Sequence, residues 1–144
     1  MDSKNINFKL KGIELVSFTL NQKQTQLNQE RVYNFEISIE HRISLDEKLV
    51  NVVVSIDLIY DADKQCHASI KTSCIFEIEN LSDLKSPTTN LVELPEPFII
   101  TLNSISLSTS RGMMYSQFKG TYMYPAILPI VNPASFNTQR IGAE

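Results

Sequence analysis

The sequence lacks the features that mark several common classes of protein. Its 16 acidic side chains outnumber its 13 basic ones, so no excess of positive charge favours nucleic acid or an anionic membrane. No apolar run approaches the roughly 20 residues of a membrane helix, and the start MDSKNINFKLKG has no apolar signal core. The four glycines form no phosphate-binding loop. We therefore expect a cytoplasmic protein that binds no nucleic acid and does not insert into membranes.

Cysteine and histidine are equally scarce, with two of each: Cys66, Cys74, His41 and His67. The cysteines fall in one predicted strand, about 26 Å apart at roughly 3.3 Å per residue, whereas a disulfide needs Cα atoms within about 7 Å. The four residues lack metal-ligand spacing, and a Ser-His-Asp set can be drawn only arbitrarily from the many serines. We expect no disulfide within the chain, no metal, no cofactor and no enzymatic activity.

Alternating apolar residues, by contrast, fill the middle of the chain. From Val50 to Tyr60 the apolar side chains fall mainly on even positions, and after the polar run 61–65 the same parity resumes from Cys66 to Ile78. A period of two places these side chains on one face of a strand. Two such runs joined by a short polar loop predict an antiparallel β-hairpin with one buried and one solvated face.

Two further alternating runs precede this hairpin. Residues 5–21 change parity at Lys11-Gly12, which is typical of a β-bulge, and a second run on odd positions begins after Val32. The polar residues 21–31 between them predict a connection. The length suits a single domain, 1–144, with one core. We predict a four-stranded antiparallel meander with strands at about 5–20, 32–44, 49–60 and 66–79.

A helix is predicted over residues 97–111. The apolar residues from Phe98 to Ile105 fit a helical face, although a strand with a slip in register also fits them. The ends favour the helix, because Glu96 suits a first turn, Arg111 suits a last turn and Gly112 suits the left-handed position beyond it. The predicted fold class is therefore α+β, with a C-terminal helix packed on one face of the sheet.

Carboxylates gather on the outward face of the predicted sheet. They are Glu36, Glu40, Asp57, Glu77 and Glu79, beside the cations Arg42 and Lys71. Polar residues are required on the solvated face of a half-buried sheet, so one interpretation is a surface that only meets water. The other interpretation is a docking surface for a protein partner.

The segment after Gly112 is unusually apolar for a connection. Prolines at 125, 129 and 133 exclude a helix or a central strand there, so an extended segment lying against the protein is predicted. It either covers the core or presents an adaptable Met and aromatic surface that binds apolar peptide. The candidate peptide-binding residues are Met113, Met114, Tyr115, Phe118, Tyr122, Tyr124 and Ile127.

These elements resemble a known family. Four antiparallel strands, a helix ending in Arg111-Gly112, and a Leu-Pro-Ile-Val-Asn-Pro run at 128–133 followed by Phe136 are similar to the SecB-like chaperones. The resemblance implies a dimer of dimers, a homotetramer, that binds unfolded polypeptides in hydrophobic grooves without nucleotide or metal. Export members of that family pass clients to the SecA motor through an acidic outer sheet face. Related proteins guard an aggregation-prone antitoxin in toxin–antitoxin operons.

Other function classes stay open beside the chaperone. The sequence does not separate protein export from antitoxin guarding. A structural assembly subunit could use the same apolar segment in a permanent interface, and suppression of aggregation of an unrelated unfolded protein distinguishes it from a chaperone.

Overall fold

The alternating runs form the strands that their parity predicts. In the computed structural model, which describes residues 6–21, 33–86, 88, 91–135 and 139–141, every predicted strand boundary lies within three residues of the observed one. The strands are β1 (Phe8–Leu20), β2 (Tyr33–Ser44), β3 (Leu49–Tyr60) and β4 (Cys66–Ile78). The predicted connection at 21–31 lies, apart from Asn21, outside the described residues, as does Phe136.

The strand order differs in one respect from a meander taken in sequence order. β2, β3 and β4 follow one another as antiparallel neighbours, but β1 pairs with β4 instead of β2. A short strand, β5 (Gln139–Ile141), adds parallel to β2 at the other edge. Alternation predicts the face on which a side chain lies and does not predict the neighbouring strand. The antiparallel four-stranded sheet is confirmed, and β1 is an edge strand among the described residues.

The β-bulge predicted in β1 is confirmed. The pairing of β1 with β4 slips between Leu10 and Gly12, and again between Leu15 and Ser17. Each slip coincides with a change of parity in the sequence. Because each bulge inserts one unpaired residue, the apolar side chains before and after each slip lie on the same face of the sheet.

The inward face of β3 and β4 is the centre of the core. Four of the apolar residues at even positions, Val52, Ile56, Ile70 and Phe76, are all buried there. Burial of such a side chain contributes about 1.5–3 kcal/mol. The opposite face carries Ser55, Asp57 and Lys71, as the alternation predicts.

The helix is longer than predicted. It runs from Glu96 to Phe118 as α1, so the prediction that it ends at Arg111 is wrong, and so is the extended segment predicted from Met113 to Phe118. Gly112 lies inside the helix, and the left-handed glycine is Gly120, with φ 83°. A glycine within a helix costs only about 1 kcal/mol. Burial of Met114 and Phe118 beyond it exceeds that cost.

Polar contacts fix the position of α1 on the sheet. His41 Nε2 lies 2.8 Å from Asn103 Oδ1, and the hydroxyl groups of Thr72 and Ser110 are 2.7 Å apart. Ser110 donates to the carbonyl of Ser106, so Thr72 donates to Ser110. Three buried helical positions are thus polar, which explains why the apolar periodicity of this segment is ambiguous.

Candidate peptide-binding surface

The chain reverses direction after α1 and runs back along it. Gly120, with φ 83°, lies in this reversal, where the amide of Thr121 donates to the carbonyl of Phe118. Seven residues before the end of α1, Arg111 donates from Nε to the carbonyl of Leu128 at 2.9 Å and from Nη2 to that of Pro129 at 3.1 Å. Residues 119–132, called the strap below, therefore lie beside the second half of α1.

The side chains of the strap divide into an inward and an outward set. Met123, Ala126 and Leu128 are buried. The outward residues recur every third position: Tyr124 is 63% exposed, Ile127 55% and Ile130 92%. Tyr115, 51% exposed, lies one helical turn beyond Arg111 on the same side of α1. We call Tyr115, Tyr124, Ile127 and Ile130 the ridge.

The structure divides the seven predicted peptide-binding residues between core and surface. Met114 and Phe118 are fully buried, and the Phe118 ring lies 5.8 Å from that of Phe18 on β1. Met113 and Tyr122 are half-buried, and the Tyr122 hydroxyl donates to the carbonyl of Asn21.

The other three, Tyr115, Tyr124 and Ile127, are exposed. The structure thus places part of the predicted set in the core and part on the surface, and peptide binding by the exposed part stays a prediction. Ile130, absent from the predicted set, is the most exposed of the large apolar side chains in the described residues. The three-residue spacing along Tyr124, Ile127 and Ile130 is the signal that could have identified it.

A second exposed apolar surface lies on β1. It comprises Phe8, Leu10, Ile13, Leu15 and Val16, which are 36–51% exposed. We call these residues the edge surface. Some side chains of the edge surface lie on the same face of the sheet as α1. Their paired neighbours on β4 are covered by α1, but they are not. Thr72 contacts Ser110 of α1, for example, while its neighbour on β1, Leu15, stays exposed.

The two ends of the edge surface are closed by aromatic contacts. The ring of Phe8 lies 5.1 Å from that of Phe98 in the first turn of α1, and Phe18 contacts Phe118 in the last turn. Between these contacts the side chains of Leu10, Ile13 and Leu15 keep 40–48% of their surface exposed. The helix therefore contacts β1 near its two ends and leaves these three side chains uncovered.

The carboxylates predicted on the outward face are not equivalent. The carboxylate of Glu77 lies 3.3 Å from the ammonium groups of both Lys9 and Lys11. Hydrogen bonds from these two lysines lower the pKa of Glu77, and the bond from Lys9 has the larger effect. Glu40 pairs with Arg42 at 2.9 Å.

The other three carboxylates have no such cation in the part of the chain that the structure describes. Asp57 accepts a hydrogen bond from Ser69 at 2.6 Å and faces Glu36 across the strands. Within the described residues, neither Glu36 nor Glu79 makes an ion pair. The negative charge of this face is therefore least compensated at Glu36, Asp57 and Glu79.

The scarce cysteines and histidines occupy structural positions. Both histidines are fully buried, and His67 Nε2 lies 2.9 Å from Asp63 Oδ2 with the Tyr60 ring 4.9 Å from its own. Cys66 and Cys74 are free thiols, and burial raises the pKa of Cys74. Within the described part of the chain, no three His, Cys, Asp or Glu residues could hold a metal ion, and no helix is long and apolar enough to cross a membrane.

Comparison with known proteins identifies the fold. No family model matches the sequence, and no curated protein matches it significantly. Among solved structures, the chain is similar to the SecB-like chaperone Rv1957 of Mycobacterium tuberculosis, solved in complex with a ChAD peptide from the Rv1956 HigA1 antitoxin. The two share 16% sequence identity with a TM-score of 0.64, over 86% of this chain and 90% of the other. The resemblance to SecB-like chaperones is thus confirmed in the fold.

Proposed function

We propose that this chain is a non-enzymatic, cytoplasmic chaperone that binds unfolded or aggregation-prone polypeptides through the ridge. The observation that carries the proposal is the repeated exposure of Tyr124, Ile127 and Ile130 on the strap. Large apolar side chains grouped on one exposed segment of a protein are a sign of a binding surface. The net charge of −3 favours solubility despite these exposed side chains.

The backbone of the strap also suits an extended polypeptide. From Ile127 to Val131 no amide donates a hydrogen bond to another described residue. Unfolded chains present apolar side chains and unpaired backbone groups together, so an extended segment can satisfy both. The antitoxin peptide bound by the similar chaperone supports polypeptide as the class of ligand.

Two cellular roles are compatible with this activity. In SecB-type export the chaperone would pass preproteins to the SecA motor, with the outward carboxylates Glu36, Asp57 and Glu79 as the docking surface. The second candidate is protection of an antitoxin, and the antitoxin peptide in the similar structure favours it. Charge reversal at Glu36 and Glu79 should weaken a SecA complex in a salt-dependent way, because exposed charges act through screened attraction. An unchanged affinity would leave these carboxylates as solubilising groups.

We also propose that the protein forms a homo-oligomer, a dimer of dimers, through β1. A strand of 13 residues with one edge unpaired among the described residues and an exposed apolar face can pair with a second copy. Lys9 and Lys11 lie on β1 but pair with Glu77 of β4, so their charge on this edge is partly compensated.

The test of chaperone activity is suppression of aggregation of an unrelated unfolded protein. The variant Tyr124→Ser/Ile127→Ser should bind unfolded polypeptide more weakly by about 2 kcal/mol, because aromatic and aliphatic anchors dominate such surfaces. Leu91→Ser is the matched control, since Leu91 is 54% exposed but belongs to neither apolar surface. A wild-type protein that fails to suppress aggregation would instead be a structural assembly subunit.

A further inference from the structure

Arg111 makes an unusual contact for a cation on a helix. Its guanidinium donates to two consecutive carbonyls of the strap, those of Leu128 and Pro129. Within the described residues no carboxylate pairs with it. Hydrogen bonds from a charged group are worth more than neutral ones, so this contact is a strong polar link between helix and strap.

The link lies next to two of the side chains of the strap that face outward. The two accepting residues, Leu128 and Pro129, are flanked directly by Ile127 and Ile130. Because both carbonyls point to α1, the backbone cannot rotate about its own axis without breaking both bonds. Leu128 stays buried, and the flanking isoleucines stay exposed.

Few other contacts restrain this part of the strap. After the bond from the amide of Ala126 to the carbonyl of Met123, the next backbone bond among described residues is that from Ser135 to Asn132. Burial of Ala126 and Leu128 holds one side of the segment against the core, but apolar contacts are not directional and do not fix the direction of the backbone carbonyls. The guanidinium, with donors in a rigid planar fork, supplies the directional restraint.

We propose that Arg111 is a positioning residue of the peptide-binding surface: it holds the strap so that Ile127 and Ile130 face the bound polypeptide. The inference rests on the proposed function, because it assigns Arg111 a role in that same site. Arg111 itself does not contact the ligand in this account. Its loss should therefore lower affinity by releasing the strap while the sheet remains folded.

The test compares four proteins: the wild type, Arg111→Met, Arg111→Lys and Ile127→Ser/Ile130→Ser. The ligand is reduced and carboxymethylated α-lactalbumin, which stays unfolded. For each protein we would measure the dissociation constant, and for the free protein the hydrogen exchange of the Ala126 amide, which donates to the carbonyl of Met123 and so loses protection when the strap is released. Exchange in β3 and β4 reports whether the sheet is intact.

Arg111→Met should bind the ligand about tenfold or more weakly, as expected for loss of hydrogen bonds from a charged group, with faster exchange of the Ala126 amide and unchanged exchange in β3 and β4. Arg111→Lys keeps the charge but not the fork, so it should fall between Arg111→Met and the wild type. If Arg111→Met does not fold, the dissociation constant and the hydrogen exchange of Arg111→Lys test the positioning role instead.

Two outcomes separate this inference from the proposed function. Binding within twofold of the wild type by an Arg111 variant whose Ala126 amide exchanges faster, while Ile127→Ser/Ile130→Ser binds weakly, would overturn the positioning role and leave the ridge intact. Normal binding by Ile127→Ser/Ile130→Ser, or no binding by the wild type, would instead overturn the proposed function.

Discussion

The edge surface and the ridge are both exposed and apolar, but their backbones differ. On β1 the backbone is paired with β4 along one side, so its side chains have fixed spacing and direction. On the strap the backbone from Ile127 to Val131 donates no hydrogen bond to a described residue, and Arg111 restrains it at two carbonyls. A fixed surface suits one partner of fixed shape, such as a second copy, whereas an adjustable surface suits polypeptides of varied sequence. Exposure of apolar side chains alone therefore does not distinguish an assembly interface from a ligand site.

The largest expected effect comes from Phe118, which connects the two surfaces. Its buried ring contacts Phe18 on β1, and the strap begins at the next residue. Phe118→Ala should lower the free energy of unfolding by about 3–5 kcal/mol, as for other buried aromatic residues. Urea denaturation measures the change.

Tyr115→Ala is the matched comparison for Phe118→Ala, because Tyr115 lies on the same helix but is exposed. Its free energy of unfolding should stay within about 0.5 kcal/mol of the wild type, as is usual for surface substitutions. Equal losses for the two variants would contradict the division of this segment into core and surface.

The edge surface should control assembly. Leu10→Ser/Ile13→Ser removes two exposed apolar side chains from β1, and we expect the oligomer to dissociate to a smaller species, because serine contributes little apolar burial at an interface. Light scattering measures the mass. The variant should still bind unfolded polypeptide, since the ridge is unchanged. A wild type of monomer mass at micromolar and higher concentrations would contradict self-association, and a variant of wild-type mass would exclude β1 as the interface.

The smallest expected effect concerns the ion pairs that join β1 to β4. Lys9 and Lys11 lower the pKa of Glu77 below its ordinary value of 4.5, so the folded state binds a proton here less readily than the unfolded state. The resulting stability is present above pH 4.5 and is lost as the pH falls through the lowered pKa. Glu77→Gln should therefore reduce stability slightly at neutral pH and weaken its dependence on acid.

Acid unfolding of Glu77→Gln should be compared with that of Glu79→Gln. Glu79 is exposed and makes no ion pair within the described residues, so its variant should keep the acid dependence of the wild type. The difference in acid unfolding between the two variants should be small, because solvent screens exposed ion pairs. The same acid profile for both variants would contradict a role of the lysine pairs in holding β1.

Much of the sheet could be predicted because its signal is local. A period of two identifies the strands, and the parity change at Gly12 identifies the bulge. The partner of β1 could not be predicted, since pairing depends on contacts between distant parts of the chain. The end of α1 could not be predicted from the sequence either. Gly112 resembles a helix terminus, but burial of Phe118 continues the helix past it.

The ridge could be predicted only in part. Tyr115, Tyr124 and Ile127 belong to the predicted set because the segment is rich in large apolar residues. Met114 and Phe118 also belong to the predicted set, because the sequence predicts an extended segment there. The helix continues through both residues instead, and helical spacing points their side chains to the core. Arg111 fits a helix end in the sequence, and only the fold brings it to the carbonyls of the strap.

Hydrogen exchange with and without unfolded polypeptide tests the central claim most directly. Bound reduced and carboxymethylated α-lactalbumin should slow exchange of the amides of Ile127, Leu128, Ile130 and Val131, which donate no bond to a described residue in the free chain. Exchange of β1 (Phe8–Leu20) should not change, because that surface is assigned to self-association. Slower exchange confined to β1, with none at residues 127–131, would contradict the account and assign polypeptide binding to the edge surface.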